Sequence, residues 1–202
     1  MECGLGNVVG ARIGLYPMQD NFIEVILGAV KAADKTGLAV ITDDLGTTIQ
    51  GNRDQVFSFV KEVFLRAAAT SGHIVANVLF SVGCPGDVPE NVDFNATAPK
   101  TELSNTDIPI ACAWSLYPLG DENYFQVISG EISKAIASAD VEVEGYHYCT
   151  RLDGTATAVF DLLEKAFAGV SQKIRHTIIH ATFSKGSPSK AKMKIDFAKE
   201  VK

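Results

Sequence analysis

The residues that could do chemistry in this chain are four cysteines (Cys3, Cys84, Cys112, Cys149), four histidines (His73, His147, His176, His180) and scattered carboxylates. None of them falls into a catalytic spacing. There is no C-x-x-C pair, and a chain of 202 residues has core enough to fold without covalent staples, so the thiols are expected to be free and not held in disulfides or zinc. His176 and His180 share one face of a strand at i, i+4, too far apart along extended backbone to chelate one ion unaided. Cys149 stands two residues from His147, but a nucleophile and its base need a third group to orient the base, and none follows from the spacing. Gly4, Gly6 and Gly10 have the wrong spacing for a dinucleotide fingerprint and precede a strand instead of following one. The patterns G-x-x-x-x-G-K-[ST], G-x-S-x-G and H-E-x-x-H are absent. Asn95-Ala96-Thr97 is a glycosylation sequon that matters only in a secreted chain. The expectation is a protein that is not an enzyme, with no metal and no cofactor of its own.

What remains is a set of polar and aromatic residues that occurs twice. Tyr16, Met18 and Asp20 follow one strand, and Tyr117, Leu119 and Asp121 follow another. Tyrosine and proline can simply close a strand while aspartate caps a helix, which is the structural reading of Asp20 and Asp121. Around a hairpin stand Asp43, Asp44, Thr47 and Thr48; the matching stretch holds His147, Tyr148, Thr150 and Arg151. Similar positions with different side chains suggest two pockets of related shape and unequal affinity.

The elements that must position these residues come from a duplication. Leu15-Tyr16-Pro17 recurs as Leu116-Tyr117-Pro118 at an offset of 101, and Val56-Phe57 recurs as Val159-Phe160 at an offset of 103. His73 and His176 keep the offset of 103, as do Phe80-Ser81-Val82-Gly83-Cys84-Pro85 and Phe183-Ser184-Lys185-Gly186-Ser187-Pro188. The expected division is a first repeat over 1–85, a Pro- and acid-rich linker over 86–108, a second repeat over 109–189 and a basic tail over 190–202.

Within each repeat the apolar period switches between two and 3.6 in the same order. A strand over 11–16 leads to a helix capped by Asp20 and ended by Gly37, then to strands over 38–42 and 47–50 joined by Asp43-Asp44-Leu45-Gly46. A second helix carries Val56, Phe57, Val60, Val63, Phe64 and Ala67 on one face, and His73 to Val82 is the last strand. The second copy repeats this with strands over 110–117, 141–149, 150–152 and 175–184 and helices over 121–138 and 155–170. The order β-α-β-β-α-β predicts an α+β chain of tandem ferredoxin-like repeats, each an antiparallel sheet with both helices on one face. In the last strands Ile74, Ala76, Val78 and Phe80 should face the helices. The half-apolar set of Val75, Asn77, Leu79 and Ser81 should cover another sheet, from the sister copy or from a second chain, so a homodimer is expected.

Charge and hydropathy narrow the partners. Eighteen Lys and Arg against 24 Asp and Glu give a net charge of −6, which repels a phosphate backbone, so no nucleic-acid partner is expected. No apolar run approaches the length of a membrane span, and the first residues lack the basic start of a signal peptide, so the expectation is a cytoplasmic protein without membrane insertion.

Gly14-Leu15-Tyr16-Pro17-Met18, Phe80-Ser81-Val82-Gly83-Cys84-Pro85-Gly86-Asp87 and Gly145-Tyr146-His147-Tyr148 with Leu152-Asp153-Gly154 together resemble the YkoF family of thiamin- and hydroxymethylpyrimidine-binding proteins. The resemblance runs from about Gly10 to Ser189. It implies tandem ACT-like repeats that dimerise, bind thiamin or its pyrimidine moiety in each repeat without catalysis, and serve uptake or salvage of the pyrimidine, with a transporter as a further partner. Thiamin joins an aminopyrimidine to a permanently cationic thiazolium, so a site needs donors, acceptors, aromatic faces and a carboxylate. Position and chemistry nominate Tyr16, Met18, Asp43, Asp44, Thr47, Thr48 and Ser81 in the first repeat. In the second they nominate Tyr117, Asp121, His147, Tyr148 and Ser184. Should Arg151 point inward, its charge would disfavour the thiazolium there and make the first repeat the tighter site. An ACT-like allosteric effector module and a small ferredoxin-like barrel enzyme are the alternative functions.

Overall fold

The computed structural model describes residues 8–84, 89–98, 103 and 106–191. Cys3, the Gly4 and Gly6 pattern, Pro85-Gly86-Asp87, Pro99 and Glu102 of the linker, and the tail from Lys192 onward lie outside the described residues.

The first repeat consists of β1 (Val9–Pro17), α1 (Phe22–Ala32), β2 (Ala39–Thr42), β3 (Thr47–Gly51), α2 (Arg53–Thr70) and β4 (Ile74–Val82). The second consists of β5 (Pro109–Leu119), α3 (Tyr124–Ala137), β6 (Val141–Tyr146), β7 (Cys149–Thr155), α4 (Ala156–Ser171) and β8 (His176–Lys185). Both are βαββαβ units of a tandem ferredoxin-like α+β fold. Their sheets join edge to edge through β4 and β8 into one eight-stranded antiparallel sheet, ordered β2-β3-β1-β4-β8-β5-β7-β6. This junction corrects one expectation: the sister sheet lies beside the open face and does not cover it.

The junction is pseudo-symmetric. Val78 pairs with Ala181, and these two positions are themselves equivalent under the offset of 103. Phe57 stacks on Phe80 with ring centroids 4.1 Å apart, and their counterparts Phe160 and Phe183 stack at 4.4 Å. Across the axis Phe57 meets Phe167 at 5.5 Å and Phe64 meets Phe160 at 6.0 Å. All six rings are buried, so α2 and α4 close one core shared by both repeats. On the open face Asn77 Nδ2 donates to Thr182 Oγ1 at 3.0 Å and lies 2.9 Å from Nε2 of its own counterpart, His180. The Lys185 ammonium donates to the carbonyls of Ala68 and Ser71, so the second repeat caps the C-terminus of α2.

Local capping departs from expectation at two helices. α1 and α3 start after Asn21 and Asn123 with no side-chain cap, one turn or less beyond Asp20 and Asp121. Asp121 instead closes an Asx turn, its Oδ1 accepting the Asn123 N–H at 2.7 Å. α1 also stops at Ala32, short of Gly37. α2 and α4 do carry side-chain caps, Asn52 Oδ1 accepting from Gln55 N and Thr155 Oγ1 from Ala158 N. Asn52 Nδ2 in turn donates to the carbonyls of Phe94 and Ala96, which fastens part of the linker to the first repeat.

Candidate functional site

A cleft of about 800 Å³ opens in the second repeat between the end of β5, α3 and the β6–β7 hairpin. Six aromatic residues line it: Trp114, Tyr117, Tyr124, Phe125, Tyr146 and Tyr148. Asp121 is the single charged residue in its wall. Trp114 is 2% exposed, yet its indole N–H has no acceptor among the described residues. A buried donor without a partner costs about 1–3 kcal/mol, so an unmet N–H lies buried behind this wall of aromatic faces and one carboxylate. The set suits a flat, hydrogen-bonding ring attached to a cation.

α3 supplies the helical wall of the cleft through Tyr124, Phe125, Ile128 and Ile132. In α1 Val25, Ala29 and Val30 are buried, whereas Ile128 and Ile132 of α3 remain half-exposed and line the cleft. The hairpin supplies the opposite wall. It turns through His147 and Tyr148, two residues earlier than the strand boundary expected after Cys149, so Cys149 belongs to β7. Tyr148 sits in the left-handed region at φ 71° with its ring 98% exposed, while its carbonyl accepts the Ser115 hydroxyl at 3.0 Å. Strain of this kind in a tyrosine costs on the order of 1 kcal/mol and collects at ligand clamps.

Of the nominated residues in this repeat, Tyr117, Asp121 and Tyr148 come together in the cleft. His147 occupies the exposed turn, its ring centroid 6.2 Å from that of Tyr148. Ser184 is elsewhere: it pairs with Ala111 on the open face, six residues along β5 from Tyr117, about 20 Å away at the rise of a strand. Sequence reasoning missed Trp114, Tyr124, Phe125 and Tyr146. Trp114 falls on the buried side of β5 by simple alternation, and nothing local marks its N–H as unmet.

The first repeat arranges its nominated residues differently. Tyr16 and Met18 are exposed at the end of β1, the tyrosine ring folded back over Gly14 so closely that a Cβ there would meet its hydroxyl at 2.6 Å. Asp43 is engaged by Arg12, whose guanidinium donates to Oδ1 and Oδ2 at 2.8 and 2.9 Å and to Thr48 Oγ1 at 2.6 Å. That guanidinium holds the Asp43 carboxyl below the usual carboxylate range. Asp44 is exposed in the turn, while Thr47 is buried on the helix side and exchanges a hydrogen bond with Thr42 at 3.0 Å. Ser81 lies beside Cys84, not beside the hairpin.

The charge argument built on Arg151 is also corrected. Arg12 pairs across strands with Thr48, and the equivalent pair in the second repeat is Ala113 with Arg151, so the guanidinium has changed strands between copies. Arg151 lies on the open face, donates to Asp153 Oδ1 at 2.9 Å and does not line the cleft. Among the described residues no group of three or more His, Cys, Asp or Glu is placed to hold a metal ion, and no helix is long and apolar enough to cross a membrane.

Comparison with known proteins agrees with the duplication. The family model described as the YKOF-related family matches this chain twice, over residues 8–87 and 109–190. A protein of Bacillus subtilis (strain 168) named "Putative HMP/thiamine-binding protein YkoF" is 34% identical over 195 residues, covering 95% of this chain and 97% of that protein.

Proposed function

The chain belongs to the YKOF-related family, and from that premise we propose that it binds thiamin or its hydroxymethylpyrimidine moiety without turnover, in thiamin-precursor salvage or transport. The observation that carries the reading is the cleft of the second repeat, where the unmet Trp114 N–H, six aromatic residues and Asp121 meet. The pyrimidine ring offers an acceptor to the indole and a face to the tyrosines, and the thiazolium takes the aromatic faces and the Asp121 carboxylate. The second repeat is the tighter site, because its cleft gathers Tyr117, Asp121 and Tyr148, whereas Asp43 of the first repeat is engaged by Arg12.

The open sheet face is proposed as the contact with a second copy in the cytoplasm. Leu79 is 39% exposed there, beside half-buried Val75 and Ile178, and a face of this kind is commonly buried in a homodimer. Sedimentation should give twice 21.6 kDa at micromolar concentration; a monomer overturns the dimer.

Calorimetric titration with thiamin and hydroxymethylpyrimidine tests the ligand. Asp121→Asn should weaken thiamin about tenfold, the range of a partly exposed charge contact, and leave the uncharged pyrimidine within twofold. Equal losses for both ligands would remove Asp121 from the cation site, and no heat with either would defeat the reading.

A further inference from the structure

The duplication builds two matching corners where the end of one repeat's last strand meets the start of the other's. At one, Gly83 adopts φ +82° and lies so close to Arg175 and His176 that any Cβ would strike the Arg175 carbonyl. At the other, Gly186 adopts φ +71° against Gly72 and His73. Only glycine fits either place, so the following residue is delivered in a fixed position beside the histidine of the other repeat. That following residue is Ser187 at one corner and Cys84 at the other.

The cysteine corner is assembled for nucleophilic chemistry. Cys84 Sγ lies 3.3 Å from His176 Nε2 and 2.7 Å from Ser81 Oγ. Cys84 is exposed, whereas Cys112 is buried and its thiol is pushed up by burial beyond any useful ionisation. Cys149 is half-buried. A structural cysteine is ordinarily buried and without a base, whereas this one has an imidazole within reach and an open approach for a small molecule.

We propose that Cys84, His176 and Ser81 form a thiol–disulfide exchange site that accepts low-molecular-weight disulfides and so makes Cys84 a reversible modification site. Cys84 passes its proton to His176 Nε2 and the sulfur attacks one sulfur of the incoming disulfide. One protein–sulfur bond forms, the S–S bond of the reagent breaks, and the departing thiolate takes the proton back from His176. The disulfide is the oxidant; the protein gains a mixed disulfide and a free small thiol leaves. Ser81 donates to the sulfur and holds it against the imidazole. Register places His176 opposite Leu119, a residue of the cleft wall, so the modified sulfur would sit one strand from the mouth of the cleft.

The test treats the full chain at neutral pH with dithiodipyridine, follows the released thione and maps the labelled cysteine by mass spectrometry. Cys84 should react about tenfold faster in the folded protein than in the urea-unfolded chain, and faster than Cys149. His176→Asn should slow Cys84 by about tenfold and Ser81→Ala by a smaller factor, while His73→Asn, the same change at the serine corner, should leave it unchanged. Equal folded and unfolded rates in the wild type would overturn the proposal without any variant. A His176→Asn protein that still folds and reacts at the wild-type rate would overturn the role of the imidazole.

Discussion

Replacing Trp114 by phenylalanine separates what the indole does for the fold from what it does for a ligand. In the protein alone two terms oppose each other. The change removes a buried N–H that lacks an acceptor, a gain of about 1–3 kcal/mol if fully desolvated. It also leaves a void of roughly 40 Å³ where the larger ring had been, a loss of about 1 kcal/mol before any lost packing area. The melting temperature should therefore move by only a few degrees in either direction. With ligand the terms no longer cancel, because the wild-type N–H is then satisfied and the phenyl ring keeps the stacking surface without the donor. Loss of one neutral hydrogen bond, about 1–1.5 kcal/mol, means binding weakened by roughly five- to tenfold. Calorimetry on both proteins with thiamin and with hydroxymethylpyrimidine reads this directly, and both ligands should suffer alike, since both carry the pyrimidine. Unchanged affinity in a folded Trp114→Phe protein would refute the assignment of the indole. A loss of stability above about 3 kcal/mol would instead show that the N–H had a partner in the fold.

Three further outcomes follow from the scaffold. Glu164 lies between α2 and α4, where burial raises its carboxyl to about 7 from 4.5, with Asp54 adding to the shift and Arg53, 3.8 Å away, opposing it. The folded state then holds a proton that the unfolded state has released, so stability should fall as pH rises from about 4.5 through 7. Glu164→Gln should flatten that slope and raise the melting temperature at pH 8 by about 1 kcal/mol equivalent after solvent screening, and an unchanged slope in a melting series would contradict it. Phe57→Ala removes a ring that touches both Phe80 and Phe167, and should cost about 3–5 kcal/mol in a single denaturation transition of both repeats; two separate transitions would show that the repeats do not share a core. Gly186→Ala places a Cβ against the Gly72 carbonyl and an L-residue at φ +71°, and a cost below about 1 kcal/mol by chemical denaturation would show that the corner is not fixed as described.

The order of elements was legible because each repeat states it independently. Alternation over Ile74, Ala76, Val78 and Phe80 identified the side that is fully buried, and the offset of 103 that linked His73 to His176 also relates Phe57 to Phe160 and Phe80 to Phe183. What periodicity could not carry was the way the two sheets meet. A half-apolar strand face looks the same whether its partner lies in front of it or at its edge, and edge pairing of β4 with β8 is decided by backbone hydrogen bonds that side-chain pattern does not report. The site divides along the same line. Tyr117, Asp121 and Tyr148, which line the cleft, were nominated from strand ends and a hairpin, which are local. Trp114 stands on the opposite face of β5 from Tyr117 by alternation, and that both line one cleft is decided by tertiary packing. Arg12 was missed because its partners, Asp43 and Thr48, are more than thirty residues away.

Duplication also explains why the two halves need not do the same thing. A shared core constrains the inner face of every strand, since Phe57, Phe64, Phe160 and Phe167 interlock across the axis and a change in one repeat is felt in the other. The strand ends, the hairpin tips and the first helix of each repeat lie outside that core. It is there that the copies differ: Gly14 against Ser115, a four-residue turn locked by Asp43 against a two-residue turn ending in strained Tyr148. Cys84 against Ser187 is a further divergence of the same kind, set on a corner whose backbone both copies keep. A scaffold rigid at its centre and free at its rims can therefore carry a ligand cleft on one copy and a reactive thiol at one corner without either feature disturbing the fold that positions it.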